Sequence, residues 1–318
     1  MRSEEEIKKI EKEIEETINN NNYKRIDKEV IESINDIKIN EEVEIFNDQL
    51  LDTYFRYIEN LDILPINIVN AYLNVIKDAD LIDNQRTEME NSFLVAIYSR
   101  LQNEHAIDAL LDKNYINKES LIIVHDLLIK NAAEKKDKIK GFRQHNTNVV
   151  GNIVNGEKQI SYFPVDYKKI DYIATEITKY INDTSNESRE KIFIKPIIIH
   201  GLIAAYQMFE DGNTRLARCI QHSKIHHMTN EYSTYNYKLP YIYTSKQYFP
   251  CRQEYRYLIT NLVLNYDSDA WNKWIIFNMQ RIEDALFNNI DLANEVYCDQ
   301  LLKNKRIIKN ITDDMKRI

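Results

Sequence analysis

The residues best suited to chemistry gather between Ile199 and Arg218, in the stretch IHGLIAAYQMFEDGNTRLAR. Phe209, Asp211, Gly212, Asn213, Arg215 and Arg218 follow one another there, with a helical run on either side. A helix opening at Gly212-Asn213 presents backbone N–H groups that have no acceptor within the helix, which suits an anion. Arg215 and Arg218 are three apart and share a face in its first two turns. Guanidinium groups so placed can hold phosphate oxygens in a fixed geometry. Asp211 stands where a carboxylate could hold Mg²⁺ between two phosphates, because that ion takes few protein carboxylates and keeps phosphate ligands. Group transfer at such a site needs a proton acceptor just before Met208-Phe209, and the residue there is Gln207. Its amide does not titrate near neutral pH. From spacing alone a second reading stands beside this one, since Asp-Gly-Asn is also a common turn and helix arginines are often solvated.

Two helices and a tight corner must position these residues. Pro196 suits the first turn of a helix that runs to about Phe209. Glu210-Asp211-Gly212 breaks it, and a second helix starts near Asn213. Upstream, residues 140 to 182 change in texture. Asn148-Val149-Val150-Gly151 and Gln159-Ile160-Ser161-Tyr162-Phe163 lean towards strand on either side of Asn155-Gly156, a hairpin signal. All five glycines lie between Gly141 and Gly212, so special backbone conformations are concentrated there. Such irregular segments often carry function, although a surface hairpin can be purely structural.

The rest of the chain reads as helix. Ile7, Ile10, Ile14 and Ile18 form a narrow apolar stripe, a loosely docked amphipathic helix or one used for self-association or partner binding. Helical periodicity continues from Lys24 to Glu134, with breaks near Leu64-Pro65 and Asp83-Asn84. Trp271 and Trp274 are expected core anchors, since large aromatic side chains mainly bury area. Five Gly and five Pro in 318 residues agree with a mainly α fold. No apolar run of about 18 residues suggests a membrane span. The charged start MRSEEEIKKIEKEIEET lacks the apolar core of a signal peptide. Three widely spaced cysteines form no disulfide framework or zinc pattern and fit a reducing, cytoplasmic setting. A net charge of −8 argues against nucleic-acid binding through a basic surface.

The ordered motif from Gln207 to Arg218 resembles the signature of the Fic/Doc family, His-Pro-Phe-x-(Asp/Glu)-Gly-Asn-(Gly/Lys)-Arg-x-x-Arg. The similarity extends to His200 in the preceding helix, to Gly141-Phe142-Arg143, and to Val149-Val150-Gly151 with Tyr162-Phe163-Pro164. Downstream it takes in LPYIYTSKQYFPCRQEYRYLI, with Arg252 and Tyr255 in an Arg-x-x-Tyr that flanks the nucleotide, and the helix holding Trp271. The resemblance implies a Fic-type helical bundle core with a short β-hairpin flap and added N-terminal helices. It divides the chain into an N-terminal helical region (1–84), a Fic-like domain (85–290) and a C-terminal helical tail (291–318). Within that domain, 147–164 would be the flap and 207–218 the motif.

Most characterised members move AMP from ATP onto a Ser, Thr or Tyr hydroxyl of a target protein, with Mg²⁺. Some relatives transfer phosphocholine, UMP or phosphate. The resemblance implies that Asp211 holds Mg²⁺ and that Gly212 and Asn213 cradle the α- and β-phosphates. Arg215 would hold the β-phosphate and Arg218 the γ-phosphate, with Thr214 and Tyr255 also at the nucleotide. The flap residues Val149, Val150, Tyr162 and Phe163 would align a target segment by strand addition. Phe209 would anchor the loop.

Three positions depart from the family pattern. Gln207 replaces the general-base His, Met208 replaces Pro, and the β-branched Thr214 stands where Gly or Lys is usual. Loss of a general base typically costs about 10²–10⁴-fold in rate. Arg86 to Ser92, RTEMENS, is similar to the inhibitory helix of self-restrained members (here 85–97), which would pair Glu90 with Arg218. Arg86 stands where that pattern has Ser or Thr, and a solvated helical Glu is the alternative.

His222 and His226 are four apart, a spacing that can also bind zinc, although no further Cys or His ligand lies close by. His222, on the face of Arg215 and Arg218, and His145, beside the flap, are the candidate imidazoles for the role of the missing base. Three functions therefore compete. One is a divergent transferase, the second a nucleotide- or peptide-binding pseudoenzyme, and the third an interaction protein built on its N-terminal helices. Retained Asp211, Asn213, Arg215 and Arg218 favour the first two.

Overall fold

The computed structural model describes residues 3–21, 23–75, 106, 109–110, 115–129, 141–154, 157–185, 187–231, 241–248 and 250–315. Ten labelled helices among them are α1 (Glu4–Asn21), α2 (Glu29–Glu32), α3 (Glu41–Ile63), α4 (Lys118–Ile129), α5 (Ile170–Asn182), α6 (Ile194–Tyr206), α7 (Asn213–Asn230), α8 (Ser245–Tyr248), α9 (Arg252–Asn265) and α10 (Ser268–Met315). The strands β1 (Val150–Val154) and β2 (Glu157–Tyr162) pair antiparallel, with a bulge between Val150 and Gly151. The fold is mainly α with a two-stranded hairpin, as the sequence implies. The expected turn at Asn155-Gly156 and the whole of 85–97, with Glu90, lie outside the described residues.

Helix α6 is the axis of the bundle. Its sequence IKPIIIHGLIAAY is apolar on all sides, and every residue from Lys195 to Tyr206 is buried. A helix with no polar face must be surrounded, and α5, α7, α9 and α10 pack around it. Gly201 allows the closest approach. A Cβ there would lie 2.7 Å from Trp274 Nε1 and 3.1 Å from Trp271 Cζ3. Both indoles are fully buried and satisfied, Trp274 donating to Ile197 O (2.9 Å) and Trp271 to Ser33 Oγ (3.0 Å).

The N-terminal elements share this core instead of forming a separate unit. The Tyr206 hydroxyl, at the end of α6, accepts from Ile31 N and donates to Asp27 O, both at 2.9 Å. Helix α3 is capped by Asn40, whose side chain accepts from Val43 N (2.9 Å), and it lies along α10. The amphipathic α1 buries Ile14 alone, in keeping with its narrow stripe. Helix α10 runs unbroken for 48 residues, about 72 Å at 1.5 Å per residue. It runs on as helix through 291–315, within the stretch read from the sequence as a C-terminal helical tail.

Candidate functional site

The corner between α6 and α7 is built by backbone exceptions. The sequence predicts α6 to run on to about Phe209, but it ends at Tyr206 because Gln207 adopts a left-handed conformation, φ +49°. Met208 and Phe209 then turn inward and are fully buried. Gly212 has φ +76°, where a side chain is disfavoured, and a Cβ there would stand 2.8 Å from Ile129 Cγ2. Asn213 laces the loop together, its Oδ1 accepting from Phe209 N and its Nδ2 donating to Phe209 O, both at 2.9 Å. Asn213 Nδ2 also reaches Gln207 Oε1 at 3.1 Å, while Gln207 Nε2 donates to Ala204 O at 2.6 Å. The Gln207 amide is thus committed at both ends to shaping the loop.

Asp211 accepts from Gly212 N at 2.7 Å and lies 3.6 Å from Arg215 Nη2. His125 of α4, which the sequence reading passed over, fixes this loop from beneath. Its ring stacks on Phe209 (centroids 3.8 Å, planes 15° apart), and its Nε2 donates to Asp211 O at 2.7 Å. Nothing in the local sequence IIVHDLL distinguishes it from a core residue.

Beside the loop lies a cleft in two lobes. The larger, about 220 Å³, is bounded by Val149 to Gly151 of the hairpin, Gln207, Thr214 and the α9 face at Tyr255, Arg256 and Ile259. The smaller, about 140 Å³, is bounded by Thr214, Arg218, Tyr248, Arg252, Tyr255 and Arg256. Thr214, Tyr255 and Arg256 form the waist between them. Asp211, Gly212, Asn213 and Arg215 are not among the residues bordering either lobe and adjoin them in sequence through Gln207 and Thr214. Arg215 and Arg218 are both buried, and the Arg218 guanidinium lies 5.9 Å from the Tyr248 ring centroid. Tyr255 is held in place by buried His200, whose Nδ1–H donates to Gln221 Oε1 and whose Nε2 accepts from the Tyr255 hydroxyl at 2.8 Å. Arg256 is a second residue the sequence reading missed. Its signal was legible, since it falls four residues after Arg252 and therefore on the same helix face.

Residues 115–223 match the model of the Fic/DOC family. The chain thus contains a Fic/DOC-type domain over these residues. Its fold is similar to that of a Fic family protein from Desulfovibrio desulfuricans G20, with TM-score 0.58, 14% identity, and 80% of this chain and 75% of that one covered. A Fic domain containing signaling protein from Bacteroides thetaiotaomicron VPI-5482 matches with TM-score 0.57 and 12% identity over 79% of this chain and 97% of that one. Fic-1 from C. elegans matches with TM-score 0.54 and 14% identity over 79% and 73%. A search of curated proteins finds no match.

The hairpin of this Fic domain differs from expectation on one strand. Val149 and Val150 are half-buried at the cleft. Tyr162 and Phe163 are fully buried, and Tyr162 borders the larger lobe from within beside Val149 and Val150. The Tyr162 hydroxyl donates to Ala205 O at 3.0 Å, and the Phe163 backbone pairs with Lys24 O and Ile26 N, both at 2.9 Å. The N-terminal segment therefore takes the backbone edge at Phe163, and among the described residues no third strand pairs with the outer edge of β1.

Arg143 joins hairpin, N-terminus and motif. Its buried guanidinium donates to Gln207 O (2.9 Å), His145 O (3.1 Å), Asn146 Oδ1 (3.2 Å) and Val165 O, and its backbone N donates to Met208 O (3.1 Å). Asn146 N in turn donates to Glu11 of α1 at 2.9 Å.

His145 and His222 border neither lobe of the cleft. His222 packs against Tyr243, and His226 packs against Tyr241. Burial first, then the charge of Arg218, pushes both His200 and His222 down to about 3. Burial and then His227 push His226 down to about 4. In the unfolded chain each takes a proton near pH 6.5. Between those values the unfolded state binds more protons, so stability falls as pH is lowered from 7 towards 4. Each histidine contributes about 1 kcal/mol per pH unit to that slope. Thermal unfolding between pH 7 and 5 should show the loss, and His222→Gln should flatten it.

Proposed function

We propose that the cleft binds the polyphosphate of a nucleotide such as ATP together with Mg²⁺, and that this site turns over slowly or not at all. The N–H groups of the first turn of α7, at Gly212 and Asn213, meet the α- and β-phosphates. Arg215 and Arg218 cover the β- and γ-phosphates, and Thr214 and Tyr255 form the wall beside them. The family typically transfers AMP, and its members bind nucleotide and protein targets. A protein segment pairing with the β1 edge at Val149 and Val150 would be the target here.

The donor set suits Mg²⁺ carried in by the nucleotide. Asp211 supplies one half-buried carboxylate at the loop, and Mg²⁺ in such sites takes one or two carboxylates and completes its shell with phosphates and water. When bound, the ion would neutralise charge on the phosphates it bridges. Arg215, 3.6 Å from the same carboxylate, would shift its donors from Asp211 to phosphate oxygen.

One observation carries the reading of weak or absent turnover. Gln207 occupies the general-base position with both ends of its amide engaged by Ala204 and Asn213. The described residues bordering the two lobes offer guanidinium and hydroxyl groups but no carboxylate and no imidazole. A phosphate is held there without a group to take the proton of an attacking hydroxyl.

Calorimetric titration of ATP with Mg²⁺ tests the binding half. Wild type should bind, and Arg215→Ala should weaken binding by about tenfold or more, because it removes a charge-assisted contact of about 1.5–3 kcal/mol. Equal binding by the two proteins would place the nucleotide elsewhere.

A further inference from the structure

Helix α10 carries two apolar stripes. One belongs to the bundle, where Trp271, Trp274, Ile282 and Leu286 are fully buried. The other steps by alternate fours and threes from Ile276 through Gln280 and Glu283 to Phe287, which is 53% exposed. The same steps continue through Ile290, Tyr297, Leu301, Ile308 and Ile311 to Met315, with Asn294 and Asn304 between them. Such alternation is the seam of a helix that packs along another helix, and Asn within a seam fixes register at a cost in stability. From Ile276 to Met315 the seam spans about 58 Å of unbroken helix.

Near its start the seam forms one wall of a groove of about 650 Å³ between α3 and α10. Ile45, Phe46 and Ile276 give it apolar surface, and Ile45 is 52% exposed. Glu41, Glu42 and Glu283 border it, with no cation among the described residues there. Glu41 and Glu42 also suit the first turn of α3, but that accounts for neither Ile45 nor Glu283. Burial, and then the charge of Asp284, hold the Glu283 carboxyl above its usual range. An apolar groove with acidic borders fits an apolar helix that carries positive charge. The far end of the same seam has that composition, with Lys303, Lys305, Arg306 and Lys309 set among Leu301, Ile308 and Ile311.

We propose that α10 pairs antiparallel with α10 of a second copy of this chain, about a two-fold axis near residues 295 and 296, so that each basic end lies in the acidic groove of the other copy. A two-fold interface uses the same surface on both copies, and here one seam holds both the groove and the segment that fits it. Charge sets the direction. A parallel pair brings Lys303, Lys305, Arg306 and Lys309 against the same four cations. The antiparallel pair brings them opposite residues 282 to 288, beside Glu283, and sets Phe287 against Asn304 and Ile290 against Leu301. None of these residues borders the cleft, so the pairing leaves the nucleotide reading untouched.

Sedimentation of the full chain over a range of micromolar concentrations tests the pairing. Wild type should sediment as a dimer and Leu301→Asp as a monomer. Lys305→Glu with Lys309→Glu should weaken the dimer by about tenfold or more. Adding Glu283→Lys should recover most of that loss, which a misfolded variant would not do. Direction is read by mild oxidation in a Cys298→Ser background, which removes the exposed thiol. Phe287→Cys mixed with Asn304→Cys should cross-link, and neither should cross-link with itself. Wild type that stays monomeric throughout overturns the proposal. A dimer that withstands both Leu301→Asp and the charge reversal overturns it too, as does one in which Asn304→Cys joins only to itself.

Discussion

Gln207→His should transfer radiolabelled AMP from ATP to protein at a rate about 10²–10⁴-fold above wild type, the usual worth of a general base. The position is prepared for an imidazole. Residue 207 has φ +49°, a left-handed conformation in which His is several-fold enriched among non-glycine residues. It borders the larger lobe beside the hairpin, where an attacking hydroxyl would arrive. The substitution gives up the bonds from Gln207 to Ala204 O and Asn213 Nδ2, at about 1 kcal/mol each. Asn213 keeps both bonds to the Phe209 backbone, so the loop should persist. The gain in barrier, about 3–5 kcal/mol for that range of rates, exceeds the expected loss in stability. A variant that binds ATP as wild type does and still transfers nothing would mean that something besides the base is missing.

Arg143→Ala should lower the unfolding free energy by about 3–5 kcal/mol, an effect on the fold and not only on the site. Arg143 lies far from solvent, 2% exposed, with four side-chain hydrogen bonds. Three of its acceptors are backbone carbonyls, at Gln207, His145 and Val165, from three separate segments. Truncation leaves buried carbonyls unpaired, at about 1–3 kcal/mol each when no water replaces the donor. Arg143→Lys should recover little, because one ammonium cannot reproduce the planar fork that meets acceptors on several sides. Urea unfolding measures both. A loss below about 1 kcal/mol for Arg143→Ala would mean that water enters and takes over these acceptors.

The sequence made the motif, the hairpin and the core helices legible for separate physical reasons. Asn155-Gly156 between two β-leaning runs marks the hairpin, and Pro196 marks the first turn of the helix that leads to the motif. Gln207 was visible as the odd residue of an otherwise complete motif. Its engagement by Ala204 and Asn213 was not, because it depends on the left-handed turn that ends α6 early. Tyr162 and Phe163 read as flap surface, since strand alternation says nothing of a third segment, Lys24 to Ile26, pairing beyond them. His125 reaches the loop from a helix more than 80 residues upstream, a contact that no local pattern encodes. Arg256 could have been found from its spacing to Arg252, but its place at the waist of the cleft depends on how α9 packs.

The central claim is a nucleotide-phosphate site that holds its ligand without a base to use it. The most direct measurement follows α-³²P-ATP with Mg²⁺ on wild-type protein in the presence of a cell lysate, scoring retained nucleotide and covalent label together. The account predicts nucleotide retained by wild type, lost in Arg215→Ala, and little or no label on protein. Rapid labelling by wild type that disappears in Arg215→Ala would contradict it, and would show that this cleft has a base other than residue 207.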